Sequence, residues 1–223
     1  MKIGFISDIH GNKDALEKVL EYCQSLDMTI CCGDLIGYYD RPEETCQEIR
    51  QRKIPTVLGN HDLYVLRELN YPPEAEKLYQ ILWTREQLSD TSLEWLKSLS
   101  KKNLLKINGW EIRIRHASPW DMTSYLYEDS SLLAKINLPE RQALVIGHTH
   151  RPYLMKKGRG MIVNCGSIGQ PRSGLPGAHF VEFDTRLGIW KQLRIEYDFV
   201  STQARLRSRG WNEDLIRKLS CPS

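Results

Sequence analysis

The sequence has no apolar run of the roughly eighteen residues needed to cross a bilayer. Its six cysteines form neither a C-x-x-C pair nor a zinc-finger spacing. These absences set aside a membrane-spanning protein, a zinc ribbon and a thioredoxin-type redox centre. Nor do Pro/Gly/Ser linkers, repeats or low-complexity tracts divide the 223 residues, so a single continuous domain over 1–223 is expected. Net charge is also scarce. Lys and Arg number 31 against 28 acids, leaving +3, too little to make nucleic acid an obligate partner. The basic clusters Lys156-Lys157-Gly158-Arg159 and Arg205 to Arg209 read as a solvated hairpin tip and one face of a helix. The opening residues M-K-I-G-F-I-S-D-I-H carry too short an apolar stretch before Ser7 and Asp8 for a signal peptide. Cys31 and Cys32 end an apolar segment, where small buried thiols are common. The expectation is a reduced, cytoplasmic protein with free cysteines and no membrane association.

Apolar residues at 41% and charged residues at 26% are ordinary for a globular chain, and this length can bury a core without disulfide staples. Residues 2–7 read as a short buried strand. In the segment Lys13 to Leu26, Ala15, Leu16, Val19, Leu20 and Cys23 share one helical face. Met28–Cys32 reads as a second strand, Pro42–Arg52 as a helix with proline suited to its first turn, and Ile54–Leu58 as a third strand. Residues 62–99 are helical in pattern, interrupted by Pro72-Pro73. Beyond them, Asn108-Gly109 between Leu104–Ile107 and Trp110–Arg115 predicts a type I′ hairpin. Further hairpins are expected around Lys157–Gly160 and Thr185–Gly188, and one or two amphipathic helices after Val200. A βαβαβ half followed by a mostly antiparallel half points to two packed sheets with helices outside.

The chemistry collects at strand ends, where open α/β sheets bind ligands. The first strand runs out in S-D-I-H (Asp8, His10), the second in C-C-G-D (Asp34) and the third in L-G-N-H-D (Asn60, His61, Asp62). A hairpin strand ends in I-R-H-A-S (His116) and a later strand in G-H-T-H (His148, His150). Of six histidines only His179 lies elsewhere. Each signal is weak by itself: Asp commonly caps or turns, N-H-D is often a turn, and H-x-H suits two half-exposed strand residues. Together, two Asp, one Asn and four His make a mixed oxygen and nitrogen shell suited to two divalent ions. Glycines before Asp34, Asn60 and His148 would let the backbone turn sharply there.

The ordered set D-x-H, G-D, G-N-H-D, H, G-H-x-H resembles the calcineurin-like metallophosphoesterases. The stretches G-D-L-I-G-Y-Y-D-R-P-E-E, W-T-R-E-Q-L, H-A-S-P-W-D and N-C-G-S-I-G-Q-P-R-S-G are similar to the small bacterial and archaeal phosphodiesterase-like branch, so the likeness spans most of the chain. One departure is His116-Ala117, where the family usually has His-Gly. The resemblance implies one ion on Asp8, His10, Asp34 and His150, and a second on Asp34, Asn60, His116 and His148, with Asp34 bridging. It implies ions roughly 3.5–4 Å apart and a bridging hydroxide as nucleophile, with His61 as general acid. Asp62 would either orient His61 or cap a helix. The expected fold is α/β, a four-layer sandwich of two mixed β-sheets flanked by helices, with the metal site at the C-terminal ends of the strands.

The expected activity is metal-dependent hydrolysis of a small phosphate ester, a phosphodiester first and a nucleotide among the candidates. Manganese is the expected ion, with Fe, Zn, Co, Ni or Mg as alternatives; a homo-oligomer is compatible with the sequence. Two other readings fit the sequence less well. Phosphomonoester or phosphoprotein hydrolysis is disfavoured because members acting on phosphoserine resemble G-D-x-V-D-R-G, and Tyr38 stands where their arginine would clamp a dianion. A non-catalytic binding protein like the resembling retromer subunit is disfavoured by the retention of His61 and all seven ligand positions. Arg172, in the loop after a late strand, is either an exposed loop residue or a substrate contact. Ser118, Trp120 and Tyr125 are candidate walls for an organic arm.

Overall fold

The computed structural model describes residues 1–220; Cys221 lies outside them. In chain order, β1 (Lys2–Ile6), α1 (Lys13–Cys23), β2 (Met28–Cys31), α2 (Pro42–Gln51) and α3 (Asn60–Leu66) come first. The short helices α4 (Glu76–Tyr79), α5 (Ile81–Gln87) and α6 (Asp90–Ser98) follow. Then come β3 (Asn103–Ile107), β4 (Trp110–Ile114), β5 (Gln142–Ile146), β6 (Tyr153–Lys157), β7 (Gly160–Asn164), β8 (Ala178–Asp184) and β9 (Ile189–Ile195). Helices α7 (Phe199–Ser208) and α8 (Glu213–Arg217) end the described chain.

Two mixed sheets result, ordered β2-β1-β8-β9 and β3-β4-β5-β7-β6. β1 and β2 are parallel, as are β4, β5 and β7, while the remaining pairings are antiparallel. Alternation along the strands explains the layers. Ile3 and Phe5 of β1 and Val181 and Phe183 of β8 face Ile112, Ile114, Val145 and Val163 of the other sheet. Ile6 and Phe180 point the opposite way, onto Leu16, Val19 and Ile49 of α1 and α2. On the far side of the five-stranded sheet, Leu144, Ile146 and Ile162 are covered by Leu126, Leu133, Ile136 and Leu138, from a segment whose regular part is a short 3-10 helix, Ser131–Lys135. The sandwich of two helix-flanked mixed sheets is thus present.

Several local expectations hold. Asn108 and Gly109 both take positive φ, 48° and 77°, as a type I′ turn demands. Hairpins β6–β7 and β8–β9 turn at the anticipated places. Three expectations are corrected. Ile54–Leu58 forms no strand ladder; it makes only isolated bridges, Cys31 to Thr56 and Val57 to Ser100. The second half is not mostly antiparallel in its own sheet, since three of its strands run parallel and its last hairpin crosses over to join β1. Finally, the Arg205 to Arg209 cluster is not merely solvated. Arg205 reaches Asp14 and Asp40, Arg209 reaches Asp40, and Arg207 pairs with Glu213, so α7 is tied to the loop before α2.

Among the described residues no helix is long and apolar enough to cross a membrane. Cys23, Cys31, Cys32, Cys46 and Cys165 are free and buried.

Candidate active site

Because β1, β2, β4, β5 and β7 run the same way within their sheets, the loops after them can supply side chains to one edge of the sandwich. The loops are cross-linked by their own backbones. Asp8 N–H donates to the Gly33 carbonyl at 3.0 Å, Ile9 and His10 N–H to that of Asp34, and Gly147 N–H to that of His116. The loop after β7 joins them: Gly169 N–H and the Ser167 hydroxyl both donate to the Asp8 carbonyl.

Asp8, His10, Asp34, His116, His148 and His150 all converge in this buried place, with Asn60 and His61 entering from the first turn of α3. Three groups, Asp8–His10–His150, His10–Asp34–His61 and Asp34–His116–His148, each bring their donor atoms within 4.8 Å of one another. The Asp34 Oδ2 belongs to both sides, 3.7 Å from His10 Nε2 and 3.3 Å from His116 Nε2. Asn60 Oδ1 lies 3.0 Å from His116 Nε2.

Each of four imidazoles spends one ring nitrogen on a backbone carbonyl. His10 Nδ1 is 3.3 Å from the Ile36 oxygen, His116 Nδ1 2.9 Å from that of Cys32 and His150 Nδ1 2.6 Å from that of Gln170. His148 uses Nε2 instead, 3.0 Å from the Thr123 oxygen. A neutral ring that donates through one nitrogen offers a lone pair at the other, the arrangement metal-ligating histidines adopt. His10 Nε2 and His150 Nε2 then face each other at 3.1 Å, two lone pairs that a cation would reconcile. Asp8 Oδ1, buried 3.1 Å from His150 Nε2, has no hydrogen-bond partner of its own. The donor set fits divalent ions. Burial holds His148 down to about 4 and His150 to about 3, in the neutral form a ligand needs. For His116 the adjacent Asp34 carboxylate outweighs burial and raises it to about 9, a proton that a bound cation would displace.

The backbone is strained here. Asp8, His10, Asp34, His148 and His150 all take φ between 54° and 63°, the left-handed region that costs a non-glycine residue ~1–2 kcal/mol. No sequence signal announced this. The expected role of the glycines is corrected in part. Gly33 does use positive φ, 97°. Gly59 is extended at −102°, and it is glycine for space: a Cβ would lie 2.0 Å from Asp34 Oδ1. Gly147 is likewise closed in by Ser7 Oγ. Ala117 has no positive φ, so its methyl group meets no left-handed backbone strain.

His61 differs from the other four. Its main-chain N–H donates to Asp34 Oδ1 at 2.8 Å, and its ring Nδ1 is buried without a partner. Tyr38 and Tyr79 pack on its ring at centroid distances of 4.7 and 4.6 Å. Burial pushes its pKa well below the ordinary value, partly opposed by Asp34. Of the two readings of Asp62, the structure supports the cap. Its carboxylate accepts from the N–H groups of Asp34, Leu35 and Gly59, each at 2.9 Å, pinning the ligand loop to α3. Burial and the nearby Asp34 raise Asp62 to about 7. Asp62→Ala strands three buried N–H groups and should cost about 3 kcal/mol or more. Chemical denaturation of the metal-free protein checks this; a loss under 1 kcal/mol would remove the pinning role.

The aromatic walls are only partly as expected. Tyr125 stacks on His148 at 4.2 Å. Ser118 instead closes a turn with Trp120 and Asp121, and Trp120 lines a separate cavity of about 280 Å³ with Arg113, Arg115 and Lys135. Arg172 is not an exposed loop residue. Its side chain is largely buried, and one guanidinium nitrogen donates to Gln170 Oε1 at 2.9 Å and to the Tyr38 hydroxyl at 3.4 Å. Arg41 is committed elsewhere, to Asp14 and Glu44.

Comparison with known proteins gives the family. The calcineurin-like phosphoesterase superfamily domain matches residues 1–186. An uncharacterized protein of Methanocaldococcus jannaschii, MJ0912, is 30% identical over 88% of each chain. The phosphodiesterase YfcE of Escherichia coli is 27% identical over 80% of this chain and 85% of its own. A crystal structure of a metallophosphoesterase from Sphaerobacter thermophilus superposes with a TM-score of 0.80 at 29% identity, covering 100% of this chain and 99% of that one. With that match running from residue 1 through β8, over every one of the converging aspartates and histidines, the chain belongs to the calcineurin-like phosphoesterase superfamily and is a hydrolase of phosphate esters.

Proposed function

We propose that the cluster holds two divalent ions, one on Asp8, His10, Asp34 and His150 and the other on Asp34, Asn60, His116 and His148, and that the enzyme hydrolyses phosphodiesters with His61 as general acid. The observation that carries this reading is the set of four imidazoles, each anchored to a carbonyl by one nitrogen and turned with the other toward Asp8 or Asp34. Bound ions would supply Lewis acidity at the phosphoryl oxygens and an activated water at neutral pH. Asp34 serves both groups through one oxygen. His61, held beside Asp34 but not anchored to a carbonyl, protonates the leaving alkoxide in this reading. An anionic phosphate beside the ring favours its protonated form and so offsets the effect of burial.

Diesters are preferred in this reading because Tyr38, whose ring packs on His61 and His10, takes the place of a dianion-clamping arginine. YfcE is named a phosphodiesterase. A cytoplasmic location accords with the free buried thiols. The test is a panel of mono- and diesters of one chromogenic alcohol, assayed on metal-stripped protein with single ions added back. Higher kcat/KM for the diester and manganese as best activator are the expected results. A clear monoester preference would overturn the substrate reading, and activity with magnesium but none with manganese the choice of ion.

A further inference from the structure

Among the described residues Arg172 has no carboxylate within ion-pair distance, whereas Arg41 and Arg205 each hold two. Its hydrogen-bond acceptors are neutral, the Gln170 amide and the Tyr38 phenol, and its Nε is buried with no partner. A guanidinium offers five N–H donors, and most of these are unspent. Withdrawing a cation from water without a counter-ion is costly, so this arrangement makes sense where an anion arrives to complete it.

Its placement says which anion. The main-chain N–H of Arg172 donates to the His150 carbonyl at 3.1 Å, and Gln170, which orients the guanidinium, also accepts from His150 through its own carbonyl. Tyr38 and Tyr125 both lie against the guanidinium. One of these rings stacks on His61 and the other on His148. The guanidinium is therefore flanked by rings that pack on His61 and on His148. The loop that carries it is rigidly seated: Gln170 N–H donates to Ser167 Oγ, Ser167 donates to the Asp8 carbonyl, and a Cβ on Gly169 would lie 1.9 Å from the Ile9 oxygen. Such pre-organisation is what a clamp on a reacting group needs.

We propose that Arg172 binds a non-bridging oxygen of the substrate phosphoryl group, making it a specificity-determining residue of this site. The inference rests on the phosphoesterase reading above. A phosphodiester has two non-bridging oxygens and one negative charge; with one oxygen turned to the ions, the other meets Arg172. A single cation at this point suits a monoanion and leaves the second charge of a monoester without a partner.

The test uses full-length, manganese-loaded protein and two probes, inorganic phosphate followed by calorimetry and a chromogenic diester followed by turnover. Arg172→Met should weaken phosphate binding and raise KM for the diester, each by roughly 10- to 100-fold, the range for a hydrogen bond to a charged group. Metal content should match wild type. Arg172→Lys should recover part of the phosphate affinity, and added guanidinium should partly rescue the methionine variant. Phosphate affinity and KM within twofold of wild type would overturn the proposal, even if thermal stability fell. If the methionine variant does not fold, Arg172→Gln and Arg172→Lys give the same comparison. A wild-type protein that turned over no phosphate ester would sink the phosphoesterase reading, while the phosphate titration would still decide for or against Arg172.

Discussion

Asp34→Asn is expected to abolish hydrolysis and to prevent either proposed ion from being held at full occupancy. One carboxylate oxygen of Asp34 lies near His10 on one side and His116 on the other, and the second accepts the His61 N–H. An amide presents a single neutral oxygen to these partners, so both sides lose the shared charge, and an NH2 group replaces either the shared oxygen or the acceptor for the His61 main-chain N–H. Elemental analysis together with turnover of a chromogenic diester checks this. Two full equivalents of metal with normal turnover in the variant would remove the proposed site.

His61→Ala has the opposite signature. Both proposed ions should stay, and turnover should fall by about 100- to 10,000-fold for esters of weakly acidic alcohols, the usual worth of a positioned general acid. The loss shrinks as the leaving group becomes more acidic, because such an alkoxide departs without a proton. Equal losses across a leaving-group series would mean that His61 does not donate. Loss of one metal equivalent with the ring would make it a ligand instead, a result its nearness to His10 and Asp34 allows.

The residues of the site were legible in the sequence because strand direction does most of the positioning. Parallel strands deliver their C-terminal loops to one edge, and four such ends rich in Asp and His, after β1, β2, β4 and β5, leave little freedom about where those side chains meet. What was not legible depends on long-range packing. The residues Ile54–Leu58 have strand composition, but beside β2 they find only a single bridge before the chain turns into α3. Gly59 and Gly147 look like turn glycines, yet their role is to admit the Asp34 carboxylate and the Ser7 hydroxyl. Asp62 follows His61 in sequence, but α3 starts at Asn60, which turns the carboxylate back toward the N–H groups of the Asp34 loop. Tyr79 gave no signal at all; it reaches His61 through a short helix whose place depends on the left-handed residue Gln80. Trp211 is similar. It lies beyond the matched family region, and its indole N–H donates to the Tyr38 carbonyl at 2.8 Å, so the C-terminal helices support the wall beside His61.

The central claim is that two ions, held by this set of aspartates and histidines, make the chain a phosphoesterase. Titrating metal-stripped protein with manganese while following hydrolysis of a chromogenic phosphodiester tests it most directly. The account predicts no turnover in the metal-free protein and full turnover only as the second equivalent per chain binds. Turnover without metal, or turnover complete at one equivalent, would contradict it.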